Sequence, residues 1–271
     1  MIDSFRIVKC RNCGLVYVNP RLNSAKIKEM YTELYFASRQ PLRWGYDDYL
    51  SMRGPLTEMF SHHLKLIERF RKGRRILDVG CATGFFLEIA ENNNWDAYGV
   101  EVSEYASHYA REELGLNVFT GTVKEASFSD EFFDVVTMWD VLEHLADPAS
   151  DLMETNRILK RGGLVFVTAP NISSLAARLT GKKWFGFAKA REHTFYFCPS
   201  TLTKMLQKAG FEVLKIETSP LRCSLKFLVG KLEPYSKVAH RTLECVVDKT
   251  GLSDRSINFR LIDILAIARK S

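Results

Sequence analysis

A chain of 271 residues, 46% of them hydrophobic, can bury a sizeable core, which excludes a disordered protein. No apolar run approaches the roughly 18 residues that span a bilayer. The first residues lack the apolar region of a signal peptide, and the six cysteines (10, 13, 81, 198, 223 and 245) form no disulfide framework, so a reducing cytoplasm is the expected setting. The net charge of +6 divides unevenly: residues 1–171 carry 20 Lys+Arg against 24 Asp+Glu, residues 172–271 carry 18 against 8. A basic last third suits an anionic partner, although singly spaced charges are ordinarily solvated surface.

In chain order, Cys10-Arg-Asn-Cys13-Gly14 is the first punctuated element. It offers two thiolates in a knuckle, but a structural zinc site needs four ligands and no second Cys-x-x-Cys exists, so two ordinary reduced cysteines are expected. Ser24 is placed to cap a helix with Ile27, Met30, Tyr31 and Leu34 on one face. Residues 39–48 read as a loop. Pro55–Lys72 reads as a long helix with Leu56, Met59, Phe60, His63, Leu64, Ile67 and Phe70 on one stripe, ended by Gly73; His63 there is a packed histidine rather than a ligand.

Ile76, Leu77 and Val79 then form an apolar run suited to a strand covered on both faces. Gly80 and Gly84 bracket a turn, where glycine permits positive φ and close backbone approach. Phe85, Phe86, Ile89 and Ala90 follow at helical spacing, so the unpaired N–H groups of a helix start point back at the turn. The spacing is neither the dinucleotide Gly-x-Gly-x-x-Gly nor the phosphate loop. Glu101, 23 residues past Asp78, closes a second strand and is placed to accept hydrogen bonds from both hydroxyls of a ribose. Further on come a helix capped by Ser103, strands at 117–120 and 134–138, a helix from Pro148 to Leu159 and a strand at 164–168. This alternation requires a parallel sheet with right-handed crossovers. Residues 171–198 are a long connection of the kind that usually carries function. A helix at 199–209, strands at 211–218 and 262–268, and an intervening segment with helices at 221–232 and 238–247 complete the chain.

Four stretches in order, Ile76–Phe85, Tyr98–Ser103, Phe133–Pro148 and Arg157–Pro170, resemble the motifs of the class I S-adenosylmethionine-dependent methyltransferases. The resemblance implies a Rossmann-like α/β fold: a seven-stranded, mostly parallel sheet with helices on both faces, an N-terminal helical lid and a C-terminal helical insertion. It divides the chain into a half-ribbon and lid (1–73), a cofactor-binding core (74–218), a basic helical cap (219–260) and a last core strand (261–271). The subfamily it is most similar to often begins with a complete zinc ribbon, of which only the second cysteine pair is present here.

The same resemblance implies that S-adenosyl-L-methionine, leaving as S-adenosyl-L-homocysteine, is bound by Asp78, Gly80, Cys81, Gly84 and Phe85 of the first motif and by Glu101 and Val102 of the second. Thr122 and Val123 would border the adenine, and Met138, Trp139 and Asp140 the sulfonium. Many relatives have an aspartate where this chain has Thr122, which leaves the adenine to backbone or to Glu125. Asp78 would organise the cationic amino group of the methionine moiety, and Tyr46 and Tyr49 would be lid contacts. Glu143-His144 is a frequent pair in the family across different acceptors, so His144 is as much a structural or cofactor-side residue as a catalytic one. In Arg191-Glu-His-Thr-Phe-Tyr196, His193 is expected to bind the acceptor or act as general base, with Tyr196 lining the pocket; no metal is expected among these residues. The expected acceptor is a small or lipid-linked molecule, an oxygen of a glycan precursor or quinone-like compound that can bear a phosphate. Nucleic acid is not expected, since amino-methylating motifs of the Asn-Pro-Pro-Tyr kind are missing, and membrane contact would be at most peripheral. The rival reading is a non-catalytic scaffold of a glycan assembly system docking through its basic cap.

Overall fold

The computed structural model describes residues 5–38, 45–46, 48–70, 73–218, 221–225, 229, 236–252, 256–259 and 263–271. The chain begins with a hairpin, β1 (Ile7–Lys9) and β2 (Val16–Val18), closed by the Cys10–Gly14 knuckle. Two short helices follow, α1 (Ser24–Lys28) and α2 (Glu33–Phe36). The single helix expected from Ser24 to Leu34 is therefore broken. Asn23 is the true cap, its side chain accepting from the Lys26 N–H at 2.9 Å, and Thr32 starts a second helix that leaves Leu34 59% exposed. The expected 39–48 loop lies largely outside the described residues. α3 (Arg53–Glu68) carries the middle of the expected stripe, with Phe60, His63, Leu64 and Ile67 buried, but it ends at Glu68, short of the expected Lys72, and leaves Phe70 exposed beyond it.

The core alternates as expected: β3 (Arg75–Val79), α4 (Phe85–Asn92), β4 (Asp96–Glu101), α5 (Glu104–Glu112), β5 (Val118–Thr120), β6 (Phe133–Trp139), α6 (Pro148–Ile158) and β7 (Leu159–Pro170). β7 begins earlier than expected because Leu159 already pairs with Phe133, and a register shift accommodates the residues before Leu164 pairs with Val135. The long connection contains α7 (Leu175–Thr180), α8 (Phe185–Ala188) and β8 (Phe195–Tyr196), then leads to α9 (Pro199–Lys208) and β9 (Phe211–Thr218). β10 (Leu221–Ser224), α10 (Lys237–Lys249), β11 (Ser256–Phe259) and β12 (Asp263–Lys270) end the chain. The helix expected over 221–232 starts instead as a strand: β10 pairs antiparallel with β11, so a two-stranded ribbon forms the base of the insertion.

The central sheet runs β5-β4-β3-β6-β7-β12-β9, with β12 antiparallel to both its neighbours. Period-2 side-chain alternation sorts the strands onto two cores. Ile76, Val135 and Trp139 pack with α3, α4 and α5, whereas Leu77, Val79, Val136 and Met138 pack with α6 and α9. Fully burying a side chain such as Phe86, 1% exposed, contributes on the order of 2–3 kcal/mol. A second sheet, β1-β2-β8, ties the N-terminal hairpin to the long connection and encloses a small core of Val18, Ala177, Trp184, Ala190 and Tyr196.

The strand order reverses between β3 and β6, and the carboxyl ends of these strands form the crevice in which open sheets bind ligands. Gly80 (φ +71) and Gly84 (φ +84) shape the turn there. A Cβ on Gly84 would lie 2.4 Å from Leu116 Cδ1 and 3.1 Å from Ala110 Cβ, so left-handed strain and crowding coincide. Gly115 has a similar φ, +68, with open space around it. Gly84→Ala is expected to cost more than Gly115→Ala, whose penalty is the strain alone, about 1–3 kcal/mol; equal melting temperatures for the two variants would contradict this account.

Candidate active site

In-register pairing of the parallel strands β3 and β6 sets Asp78 beside Thr137, both on the α3/α4 face. Thr137 Oγ1 donates to Asp78 Oδ1 at 2.6 Å. Burial raises the Asp78 carboxyl from 3.8 to about 8, against the opposing pull of this bond, and the neighbouring Glu101 raises it further. Glu101, also buried and raised by burial, accepts from the Ser103 N–H at 2.8 Å and the Ala82 N–H at 2.9 Å. Each carboxylate oxygen keeps a second lone pair for a ligand hydroxyl. Ala82 holds φ +49 within the glycine-bounded turn, and Thr83 Oγ1 beside it is buried without a partner. An acid with no cation beside it among the described residues, an acid with spare acceptor capacity and a turn leading into a helix start fit an amino acid ammonium, a ribose and the nucleoside between them.

Not every expected contact is available to a side chain. Met138 is fully buried on the α6/α9 face, and Cys81 lies within the α4 core, so only their backbone can border a ligand. Trp139 stacks on His63 at 4.3 Å and meets Phe86 edge-on, which confirms His63 as a packed histidine. Asp140 (φ +54) is exposed at the strand end and exchanges hydrogen bonds with Thr168: its N–H and the Thr168 hydroxyl each make a 2.9 Å contact. Phe85 stacks against Tyr49 at 5.8 Å. Val102 is half-buried beyond Glu101, and Val123 is buried in the α6/α9 core. Thr122 is exposed, its N–H and hydroxyl both donating to Glu125 Oε2, so Glu125 is engaged in closing the turn after β5.

The lid is aromatic. Tyr31, Tyr35, Tyr46 and Tyr49 contact one another in sequence, and Phe36 joins them to Tyr105 of α5. Its anchor is Glu192, a residue that the sequence did not single out. The Glu192 carboxylate accepts from Tyr35 Oη at 2.9 Å and from the Gly45 N–H at 3.0 Å, with Lys189 Nζ 3.7 Å away. An acid flanking a candidate histidine was the only available signal; Tyr35 and Gly45 are more than 140 positions away.

The long connection is fastened to the end of β6 by its backbone. The Glu143 carbonyl accepts from the Thr194 and Phe195 N–H groups at 2.8 and 3.2 Å, and from the Thr194 hydroxyl. His193 is thereby set edge-on to His144, ring centroids 4.7 Å apart. His144 Nδ1 lies 3.0 Å from Tyr31 Oη, and its Nε2 lies 3.8 Å from Glu143 Oε1. Burial and the nearby Lys189 lower His144 to about 3. Burial, His144 and Lys189 hold His193 well below 6.5. Burial, with Asp140 and Asp263 nearby, raises Glu143 well above its usual range, and neither of its carboxylate oxygens has a hydrogen-bond partner among the described residues. The structure thus brings His144 and His193 together and adds Glu143. It does not bring Tyr196, which sits in the small core against Trp184 and Phe187, its hydroxyl buried and unpartnered.

In the knuckle, Cys10 is lowered by hydrogen bonds from the backbone of Cys13 and Asn12, an arrangement that favours a thiolate. Among the described residues no further His, Cys, Asp or Glu joins Cys10 and Cys13 into a group of three.

This fold and this crevice define an S-adenosylmethionine-dependent methyltransferase of class I. Residues 52–216, more than half of the chain, match the methyltransferase domain family Methyltransf_23, to which the chain belongs. It is 31% identical over 156 residues to a ubiquinone biosynthesis O-methyltransferase of Methylococcus capsulatus (54% of this chain, 66% of that protein). It is 28% identical over 214 residues to a protein so named in Azorhizobium caulinodans (70% of this chain, 82% of that one). With the first of these relatives the match spans slightly less than two thirds of the relative's length. Among solved structures, a methyltransferase of Thermotoga maritima, described as a possible histamine N-methyltransferase, superimposes with a TM-score of 0.58 at 21% identity, covering 82% of this chain and 93% of that one. This likeness shows the fold.

Because the folded Asp78 titrates near 8 rather than 3.8, its contribution to stability is fully present below pH about 3.8 and is lost as pH rises through about 8. Asp78→Asn is expected to flatten that part of the stability–pH profile of the ligand-free protein in thermal melts. A bound ammonium favours the ionised carboxylate, so affinity for S-adenosylhomocysteine is expected to fall as pH drops below about 8, with proton uptake or release visible by calorimetry in buffers of different ionisation enthalpy. A pH-independent affinity that survives Asp78→Asn would remove Asp78 from the site.

Proposed function

We propose that the chain transfers the methyl group of S-adenosylmethionine to an oxygen of a small, hydroxyl-bearing aromatic, a quinone-like precursor. The observation that carries this reading is the acceptor side of the crevice, where two neutral imidazoles and an unpartnered carboxyl, His144, His193 and Glu143, meet at the carboxyl edge beside the cofactor turn. The relatives' name, ubiquinone biosynthesis O-methyltransferase, supports it.

The donor brings a methyl on a sulfonium; the protein supplies alignment. Asp78 would hold the ammonium and Glu101 the ribose of a bound donor, beneath the aromatic lid. Orientation of this kind can be worth about 7–11 kcal/mol of barrier. His193, with its basicity suppressed by burial, serves as a neutral hydrogen-bond acceptor that binds the acceptor hydroxyl rather than as a strong base. Lys182 and Lys183, exposed on the same connection, would meet a phosphate or anionic surface if the acceptor is lipid-linked. The scaffold alternative has no comparable support.

A methyl-transfer assay over dihydroxy-aromatics, hydroxylated glycan precursors and amines tests the proposal. Methyl ethers of the aromatic acceptors are expected, with His193→Ala raising the acceptor KM by about tenfold or more while S-adenosylhomocysteine binding is retained. Exclusive methylation of amines, or an unchanged KM in the variant, would refute it.

A further inference from the structure

Resting on the reading of His193 as the residue that binds the acceptor, we infer that Glu192 is a positioning residue: it holds the aromatic N-terminal segment closed over the donor crevice in the arrangement that also sets His193, so that donor binding orders the acceptor side.

The aromatic segment forms one unit. Its two arms are zipped by backbone bonds, from the Tyr46 N–H to the Tyr35 carbonyl and from the Tyr49 N–H to the Phe36 carbonyl, both 2.7 Å. Gly45 holds φ +78, and a Cβ there would stand 2.6 Å from the Tyr35 carbonyl oxygen, so this close approach requires glycine. One end of the unit reaches the donor side. Tyr49 stacks on Phe85 at the start of α4, and Phe36 meets Tyr105 of α5. Burial, then Tyr46, then Asp78 and Glu101 raise the Tyr49 hydroxyl, which sets that ring near both carboxyls that a donor would use.

The other end reaches Glu192, where each carboxylate oxygen has its own partner: Oε2 accepts from Tyr35 Oη at 2.9 Å and Oε1 from the Gly45 N–H at 3.0 Å. The Glu192 side chain is fully buried, and a buried carboxylate stripped of its donors is costly, so the two bonds are kept or lost together. On its own segment Glu192 shares a turn with His193. The N–H groups of both donate to the Lys189 carbonyl, at 2.9 and 2.7 Å. Just past His193 the backbone is fixed by β2, whose Val18 N–H donates to the Thr194 carbonyl at 2.9 Å. His193 is thus held on one side by a sheet and on the other by a turn tied to the aromatic segment. A donor that packs beneath Tyr49 favours the closed segment, closure engages Glu192, and the engaged turn holds His193. By linkage the effect is reciprocal, so an acceptor on His193 slows loss of the donor.

The test is hydrogen exchange of the full chain with and without saturating S-adenosylhomocysteine, read in peptides that contain Tyr35, Tyr49 and His193, together with the dissociation rate of that ligand by stopped flow. In the wild type the ligand is expected to slow exchange by about fivefold or more around Tyr35 and Tyr49 and, equally, around His193. In Glu192→Gln and in Tyr35→Phe the protection around His193 should be lost, and the ligand should leave about fivefold faster or more, while protection of the Asp78–Gly84 turn is retained as the control for folding. Wild-type protection confined to the donor side, or full coupling kept in both variants, would overturn the inference. So would a lowered melting temperature with donor-dependent protection unchanged, the mark of a merely structural carboxylate. Coupled protection in a chain that methylates no oxygen acceptor leaves the latch standing and removes the acceptor reading. Oxygen methylation that depends on His193, in a chain without coupled protection, does the reverse.

Discussion

Two carboxyls buried at the ends of adjacent parallel strands, with no ion pair to either among the described residues, are the constraint around which this molecule is arranged. Asp78 is held by a single hydroxyl and Glu101 by two backbone N–H groups. Burying a carboxyl without a cation is costly, and here the cost appears as raised pKa values rather than as neutralising lysines. A lysine or arginine at this point would offset that cost, and on the proposed reading it would also occupy the place of the ligand's ammonium. The register of β3 against β6, the left-handed glycines and the capped start of α5 all hold these two groups in place.

The lid is connected to the chemistry rather than merely laid over it. Tyr31 reaches His144, while Tyr35 and the Gly45 N–H reach Glu192, one residue before His193. The aromatic N-terminal segment is therefore bonded to the long connection that carries His193, and Tyr35 and the Gly45 N–H are tied to it through the one buried side chain of Glu192.

Much of the turn after β3 and its two buried acids was legible in the sequence, because short local motifs encode it. A buried strand, a Gly80-x-x-x-Gly84 turn, a helix start and an acid at the next strand end lie within 26 residues, from Ile76 to Glu101. Side-chain direction was less legible. Met138 and Trp139 are neighbours in β6, and the pleat sends them to opposite cores, so a motif match over both could not say which faces the crevice. Tyr196 was misplaced for the same reason: in β8 it alternates with Phe195 and Phe197, which enter the larger core, while it turns to Trp184. Thr137 was the overlooked signal, a hydroxyl in an otherwise apolar central strand. The acceptor side depends on contacts between residues 31, 35, 45, 143, 144, 192 and 193, which no local spacing announces. The β10–β11 ribbon likewise depends on pairing across a long insertion, where the helical reading of residue 221 onward had only local periodicity to follow.

Division of labour between the two halves follows from where charge changes during transfer. On the proposed reading, an ammonium at Asp78 and a ribose at Glu101 do not change charge during transfer, so binding them is uniform: it improves affinity without lowering the chemical barrier. The sulfonium loses its charge, and an environment too rich in ionised carboxylates would favour the reactant over the transition state. The rate must then come from the oxygen side, where negative charge is consumed as the new bond forms. On the proposed reading, groups that hold and orient that oxygen act there differentially, and Glu143, His144 and His193 are the side chains that the fold brings together at that edge.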